Sequence, residues 1–331
     1  MKHESSHRFF LVFRDTSGAT VHEEEVTDFL ALSHDLAFSA VRSGALPNDG
    51  NWGGARIEPV WEDGKLSRIA ASLAGRQKTY DVSVIGDQAR SLFLARGLLK
   101  PEEGEEEKEG LLTWKLEPRE RDGQARERKL RMSVTQRPYP LVRRALSEFG
   151  IQRPPATEEP TSLLVSAALL AELRESAANC LERERADVLT GYLVQEPENI
   201  SIVVLGRIPA EVDTTSSVAH ISFSPKTFEA VRKEHERRGT DQVILGWAHN
   251  HPPPCKQECL MTVPACKTEN VFFSVADRCV HRASFGAPYM VGLVFGKGAI
   301  RRADDPLVRA YGWRDGEVRE RSYAVFVGGV K

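Results

Sequence analysis

The sequence lacks any apolar run of about 18 residues, so no transmembrane helix is expected. It also lacks a dominant charge. Its 45 Lys and Arg stand against 47 Asp and Glu, a formal net charge of −2. That balance excludes a strongly basic nucleic-acid coat and a polybasic membrane binder. No interleaving of basic and aromatic residues suggests a nucleic-acid platform. Cysteine is scarce, five in 331 residues, which excludes a disulfide framework. The opening MKHESSHRFFLVF has neither the apolar stretch nor the small-residue cleavage site of a secretory signal. The expectation is a cytoplasmic protein that engages neither membrane nor nucleic acid, with a fortuitous sequon at Asn199. FGKG over 295–298 lacks the glycine spacing and the Ser or Thr of a P-loop.

What is present is ordinary globular material, 41% hydrophobic and 28% charged, long enough for about two domains of ~150 residues. In the first half, RFFLVF (8–13), ARIEPVW (55–61) and YDVSVI (80–85) read as strands, with a turn at Gly64. Residues 27–43 carry helical periodicity with Thr27 or Asp28 as cap, and a second helix is expected over 87–99, ending near Gly97. The acidic run 101–110 reads as a solvated loop. GLLTWKLEP and KLRMSVTQ suggest a hairpin with a long loop, and 141–150 a short helix ended by Gly150. No catalytic motif and no repeat is found there. The three prolines of 152–161 mark a linker. Beyond it, a strand runs into an amphipathic helix, followed by strands DVLTGYLV and ISIVVLGRI, helix PKTFEAVRKEHERRG stopped by Gly239, strands DQVILGWAHNH and PYMVGLVFG, and a hairpin turning at Asp315-Gly316. The expected architecture is α/β: a separate α/β domain over 1–151, a linker over 152–161, and a mixed β-sheet flanked by helices over 162–331.

Chemistry concentrates in the second half. His249-Asn250-His251-Pro252 places two imidazoles at i and i+2, on one side of an extended segment, and imidazole is a good ligand for Zn²⁺. Downstream, Ser274-Val275-Ala276-Asp277 is a Ser-x-x-Asp that, at a helix start, sets Ser274 as cap and Asp277 one turn on. Upstream, Asp187 opens a strand, with Glu184 and Glu182 nearby, and hydrolysis at zinc needs a base. Four of the five cysteines, Cys255, Cys259, Cys266 and Cys279, fall close together, and such clustering in a reducing compartment favours metal. Cys180, in the amphipathic helix, reads as core, as do Trp247 and Trp313. His220, His235 and His281 are scattered.

An acidic residue, a strand, His-x-His-Pro and Ser-x-x-Asp, in that order, resemble the JAMM (MPN+/JAB) metalloprotease pattern over roughly 162–331. The apolar strand Val243–Trp247 before His249 and the segment YMVGLVFG after Asp277 match it too. The resemblance implies that His249, His251 and Asp277 ligate a catalytic zinc, leaving a fourth position to water. It implies that the acidic residue is the base and that Ser274 hydrogen-bonds the oxyanion. It further implies hydrolysis of the peptide or isopeptide bond after the C-terminal tail of ubiquitin or a ubiquitin-like protein, with E1-like and E2-like proteins as possible partners. A non-catalytic MPN-type scaffold and a processing hydrolase for a sulfur-carrier protein are the alternatives.

Three departures from the pattern matter. An ungapped alignment puts Asp187 where the family has its glutamate, while Glu184, three residues upstream, would need a kink or bulge to reach in. Asn250 stands where Ser or Thr is usual. It should point away from the metal, with little effect expected. The His251–Asp277 interval is longer than usual and carries a Cys-rich insertion at about 253–272. There Cys255, Cys259 and Cys266, with Cys279 or His281, could bind a second, structural zinc, as eukaryotic relatives do near this site.

Overall fold

The computed structural model describes residues 7–26, 29–52, 54–86, 88–89, 112–120, 137–152, 159, 161–197, 199–210, 221, 223–253, 269–298 and 305–328. The chain is mixed α/β and mostly strand. By their internal contacts its residues divide into two compact units, Met1–Tyr139 with Asp315–Glu317, and Pro140–Arg314 with Val318–Lys331. The division falls at Tyr139/Pro140, ahead of the expected linker at 152–161. The reason lies in Leu141–Val142, a two-residue strand, and in Phe149 and Ile151. These two side chains are buried with Leu164, Tyr192, Val194 and Val203 of the second unit.

The first unit holds strands β1 (His7–Asp15), β2 (Thr20–Val26), β3 (Arg56–Glu62), β4 (Lys65–Leu73), β5 (Arg76–Asp81) and β6 (Leu112–Glu120), with helix α1 (Leu30–Arg42). They form two three-stranded sheets, β2-β1-β6 and β3-β4-β5. Phe9, Leu11 and Phe13 of one sheet, Ile69 and Ala71 of the other, and Leu32 and Leu36 of α1 share one core. Asp63-Gly64 and Ala74-Gly75 turn the second sheet, all four residues at positive φ, as tight hairpins with right-handed twist require. The expected strand over 80–85 stops at Asp81. The Asp81 side chain accepts from Ser83 N at 2.8 Å and starts a 3₁₀ turn, Val82–Ile85. Apart from Gln88 and Ala89, the expected helix at 87–99 lies outside the described residues, as do the acidic run and KLRMSVTQ.

The second unit is built on a nine-stranded sheet. Its strands are β7 (Leu141–Val142), β8 (Ser162–Ser166), β9 (Ala186–Gln195), β10 (Ile200–Ala210), β11 (Val243–Asn250), β12 (Val291–Gly296), β13 (Leu307–Arg314), β14 (Glu317–Arg321) and β15 (Ala324–Phe326). The order is β14-β13-β12-β11-β9-β10-β8-β15, with β7 pairing β9. Among the described residues this unit has helices α2 (Ala167–Ala178), α3 (Pro225–Arg238) and α4 (Val275–Ser284). The expected helix over 141–150 is instead β7 followed by a 3₁₀ turn, Leu146–Phe149, which Gly150 ends at φ 80. Helix α3 matches its sequence signals, with Ser224 as cap, Pro225 first and Gly239 at φ 61 last. Strands β9 and β12 are buried almost throughout, which explains their unbroken apolar runs.

One irregularity decides which face β11 offers. Ile244 pairs with Thr190 and Gly246 with Leu189, so Leu245 is an extra residue, a bulge. Side-chain direction alternates along a strand, so this insertion inverts the facing of everything after it. Past it, Trp247 pairs with Val188, Ala248 with Asp187 and His249 with Ala186. Gly246 sits at φ 145, and a Cβ there would lie 1.8 Å from Val291 O of β12. Among the described residues no helix is long and apolar enough to cross a membrane.

Gly246→Ala must push β11 and β12 apart. The expected loss is at least about 3 kcal/mol of unfolding free energy in denaturant titration. A loss below about 1 kcal/mol would show that the two strands do not approach as described.

Candidate metal centre

Strand β11 delivers its last residues to the middle of the sheet, between β9 and β12. His249 is buried at the strand end, and His251 follows with its backbone N donating to Phe295 O of β12 at 2.8 Å. The two side chains share a face, and their Nε2 atoms lie 3.0 Å apart. Helix α4 begins at the same place. Ser274 caps it, Asp277 N donates to Ser274 Oγ at 3.1 Å, and Ser274 N donates to Asp277 Oδ2 at 2.7 Å. This capping box aims the Asp277 carboxylate at both histidines: Oδ1 is 3.2 Å from His249 Nε2 and Oδ2 is 3.3 Å from His251 Nε2.

The Nε2 atoms of two imidazoles and the oxygens of one carboxylate converge here at 3.0–3.3 Å, donor types that suit a divalent cation. His251 Nδ1 donates to Asn270 O at 2.8 Å, so in the neutral ring Nε2 carries the lone pair. Asn270 is itself held, its Nδ2 donating to Pro252 O at 2.6 Å and its Oδ1 accepting from Lys297 N at 2.6 Å. The His249 ring stacks on Trp247 at 4.3 Å. Among the described residues, His249, His251 and Asp277 form the group able to hold a metal ion, their donor atoms all within 4.8 Å of one another. Two imidazoles and one carboxylate are the donor set of catalytic zinc sites that keep a position open. The residues therefore fit a divalent ion such as zinc.

The electrostatics follow from burial and proximity. Burial alone would raise the Asp277 carboxyl, but His249 and His251 beside it hold it well below the usual carboxylate range. Burial pulls His249 down. For His251, burial is outweighed by Asp277 and Glu184, and its pKa is raised. Glu184 stands 3.9 Å from His251 Nε2. Burial, opposed by His251 and aided by Asp277, pushes its carboxyl up to about 7. Such a group is poised to take and give a proton near neutrality.

The structure thus brings Glu184, not Asp187, to the cluster. Asp187 pairs with Ala248 and so faces the side of the sheet opposite His249. There it accepts from Arg207 Nη1 at 2.8 Å, and Arg207 also reaches Glu172 of α2 at 3.4 Å. Ser274 is the helix cap, as its spacing implied. Phe272, 45% exposed, stands edge-on to His251 at 5.4 Å and leaves an aromatic surface at the mouth of the site.

The candidates for a second zinc separate. Cys255, Cys259 and Cys266 lie outside the described residues. Cys279 and His281 are two apart on α4 and project in different directions. His281 is buried among Phe273, Phe285 and Trp313, and its Nδ1 accepts from Trp247 Nε1 at 3.1 Å. It braces the indole that stacks on His249, and burial drives its pKa down to about 3. Cys180, expected in the core, sits just past α2 and is only half-buried. Sequence reading missed Asn270, which carries no motif, and the bracing role of His281.

No protein-family model matches this sequence, and no curated protein matches it. Among solved structures, the solution structure of protein DSY2949 from Desulfitobacterium hafniense is similar, with 18% identity and a TM-score of 0.36. The match covers 50% of this chain and 94% of that one. That likeness carries no argument about the site.

Zinc added to metal-free protein is expected to raise the melting temperature, and His249→Ala or Asp277→Asn to abolish the rise. The raised pKa of His251 means that protons compete with the ion from above 6.5 downward, so affinity must weaken as pH falls from about 8 to about 5.5. Equal affinity at both ends would rule out His251 as a ligand. A separate effect concerns His281. The unfolded chain protonates it below its ordinary 6.5, the folded chain only near 3. Its stabilising share is complete above 6.5 and is lost as pH falls toward 3, at most ~1.4 kcal/mol per pH unit. His281→Phe, which strands the Trp247 N–H, should cost about 1–3 kcal/mol near pH 8 yet flatten the decline below 6.5, both read by urea unfolding.

Proposed function

We propose that this chain is a zinc-dependent hydrolase of the JAMM (MPN+/JAB) type. In this reading it cleaves the peptide or isopeptide bond after the extended C-terminal tail of ubiquitin or a ubiquitin-like protein, by deconjugation or precursor processing in the cytoplasm. The observation that carries the reading is the convergence of His249, His251 and Asp277 with a second carboxyl, Glu184, beside them and tuned to about 7. A scaffold that had lost catalysis would have no need of the full donor set and a perturbed carboxyl.

His249, His251 and Asp277 would hold the ion, with Asn270 and Trp247 fixing the rings. When bound, the ion supplies Lewis acidity, which lowers the pKa of water and polarises an amide carbonyl. Glu184 takes the proton of the attacking water as its oxygen bonds to the carbonyl carbon. It then passes that proton to the leaving amine as the carbon–nitrogen bond breaks. The Ser274 oxygen accepts from Asp277 N, which leaves its own hydrogen to donate to the oxygen that gains negative charge. Arg207 keeps Asp187 on the far face, out of this sequence.

The test is cleavage of ubiquitin carrying an aminomethylcoumarin amide at its C-terminus, and of ubiquitin-like proteins encoded by neighbouring genes. Glu184→Gln should lower turnover about 10²–10⁴-fold at unchanged zinc content. Asp187→Asn should lower it far less. A Glu184→Gln protein that cleaves at the wild-type rate would sink the mechanism.

A further inference from the structure

The middle residue of His-x-His faces away from the two histidines, and there it is fully used. Asn250 is 5% exposed. Its Oδ1 accepts from Arg185 N at 2.7 Å, and its Nδ2 donates to Cys180 O at 2.7 Å and to Arg183 O at 3.2 Å. Its backbone N also donates to Arg185 O at 3.3 Å. The peptides on both sides of Glu184 are therefore tied to one side chain. Residues 180–185 belong to neither helix nor strand, so no regular ladder holds them. A primary amide offers two donors and an acceptor in one plane, which a Ser or Thr hydroxyl does not.

We propose that Asn250 is the positioning residue for Glu184: its amide fixes the backbone of 180–185 so that the Glu184 carboxyl faces His251 and Asp277. The assignment rests on the role of Glu184 given above. It also accounts for how a carboxylate ahead of β9 reaches the site without a place in the strand. The sheet separates the two tasks: one face of β11 presents ligands, and the other holds the loop that supplies the base.

The test uses metal-loaded full-length protein as wild type, Asn250→Ala, Glu184→Gln and the double variant. Two readouts need no substrate: amide hydrogen exchange over 180–186, and the visible absorption spectrum after cobalt replaces zinc, which senses groups around the ion. In Asn250→Ala, exchange over 180–186 should rise about tenfold or more while the rest of the sheet stays protected. Zinc affinity should hold within about twofold. The cobalt spectrum should move to that of Glu184→Gln, and the double variant should match Glu184→Gln, since Asn250 acts through that carboxyl. On the ubiquitin aminomethylcoumarin probe, kcat should fall about 10²-fold with KM unchanged.

Wild-type exchange in Asn250→Ala, or raised exchange with a wild-type cobalt spectrum, overturns the proposal. If wild type itself does not cleave the probe, the hydrolase reading fails on its own, and exchange and spectrum still decide the role of Asn250. Should Asn250→Ala not fold, Asn250→Ser takes its place, with effects in both readouts expected between alanine and wild type.

Discussion

Three donor groups are held within 4.8 Å of one another, and the elements around them keep them there. Each is fixed by a different device. His249 is clamped by stacking on Trp247, which His281 braces from behind. The tautomer of His251 is set by a backbone carbonyl of Asn270, itself held between two strand ends. Asp277 is aimed by the helix start it helps to cap. Each support acts on a different donor, and the three together hold the set in place. Such a preorganised set is complementary to a cation.

The donor triad was legible in the sequence because its spacings are local. His-x-His on a strand and Ser-x-x-Asp at a helix start each fix relative direction within one element. Which carboxyl stands beside the donors, Asp187 or Glu184, stayed open in the sequence because it is a question of parity between strands. An ungapped alignment counts residues and selects Asp187. The sheet counts faces, and the pairing of Asp187 with Ala248 sends that side chain toward Arg207. The register, which includes the bulge at Leu245, puts Asp187 on the face opposite His249, and the 3.9 Å from Glu184 to His251 Nε2 puts Glu184 beside the donors. Asn270 was silent for a similar reason: its work is done through backbone groups of residues remote in sequence.

The fold shows the same division. Elements with strong local signals, such as α3 between Ser224 and Gly239, match the reading closely. Strand β2, Thr20–Val26, has three consecutive glutamates and exposed positions, so no apolar alternation marks it. It exists because β1 beside it offers an open edge. Segment 140–151 goes by its contacts with the second unit although the conspicuous proline-rich stretch follows it, because burial of Phe149 against Tyr192 is a tertiary fact.

The bulge at Leu245 has an evolutionary side. Deleting a single residue there would turn His249 and His251, with the buried Trp247, to the other face of the sheet, and Asn250 to the face that Asp277 occupies. The His-x-His and Ser-x-x-Asp spellings would survive untouched. A three-nucleotide loss would thus undo the convergence of the three donors in one frame-preserving step. Within this architecture the counting of residues between the start of β11 and its first histidine carries as much information as the histidines themselves.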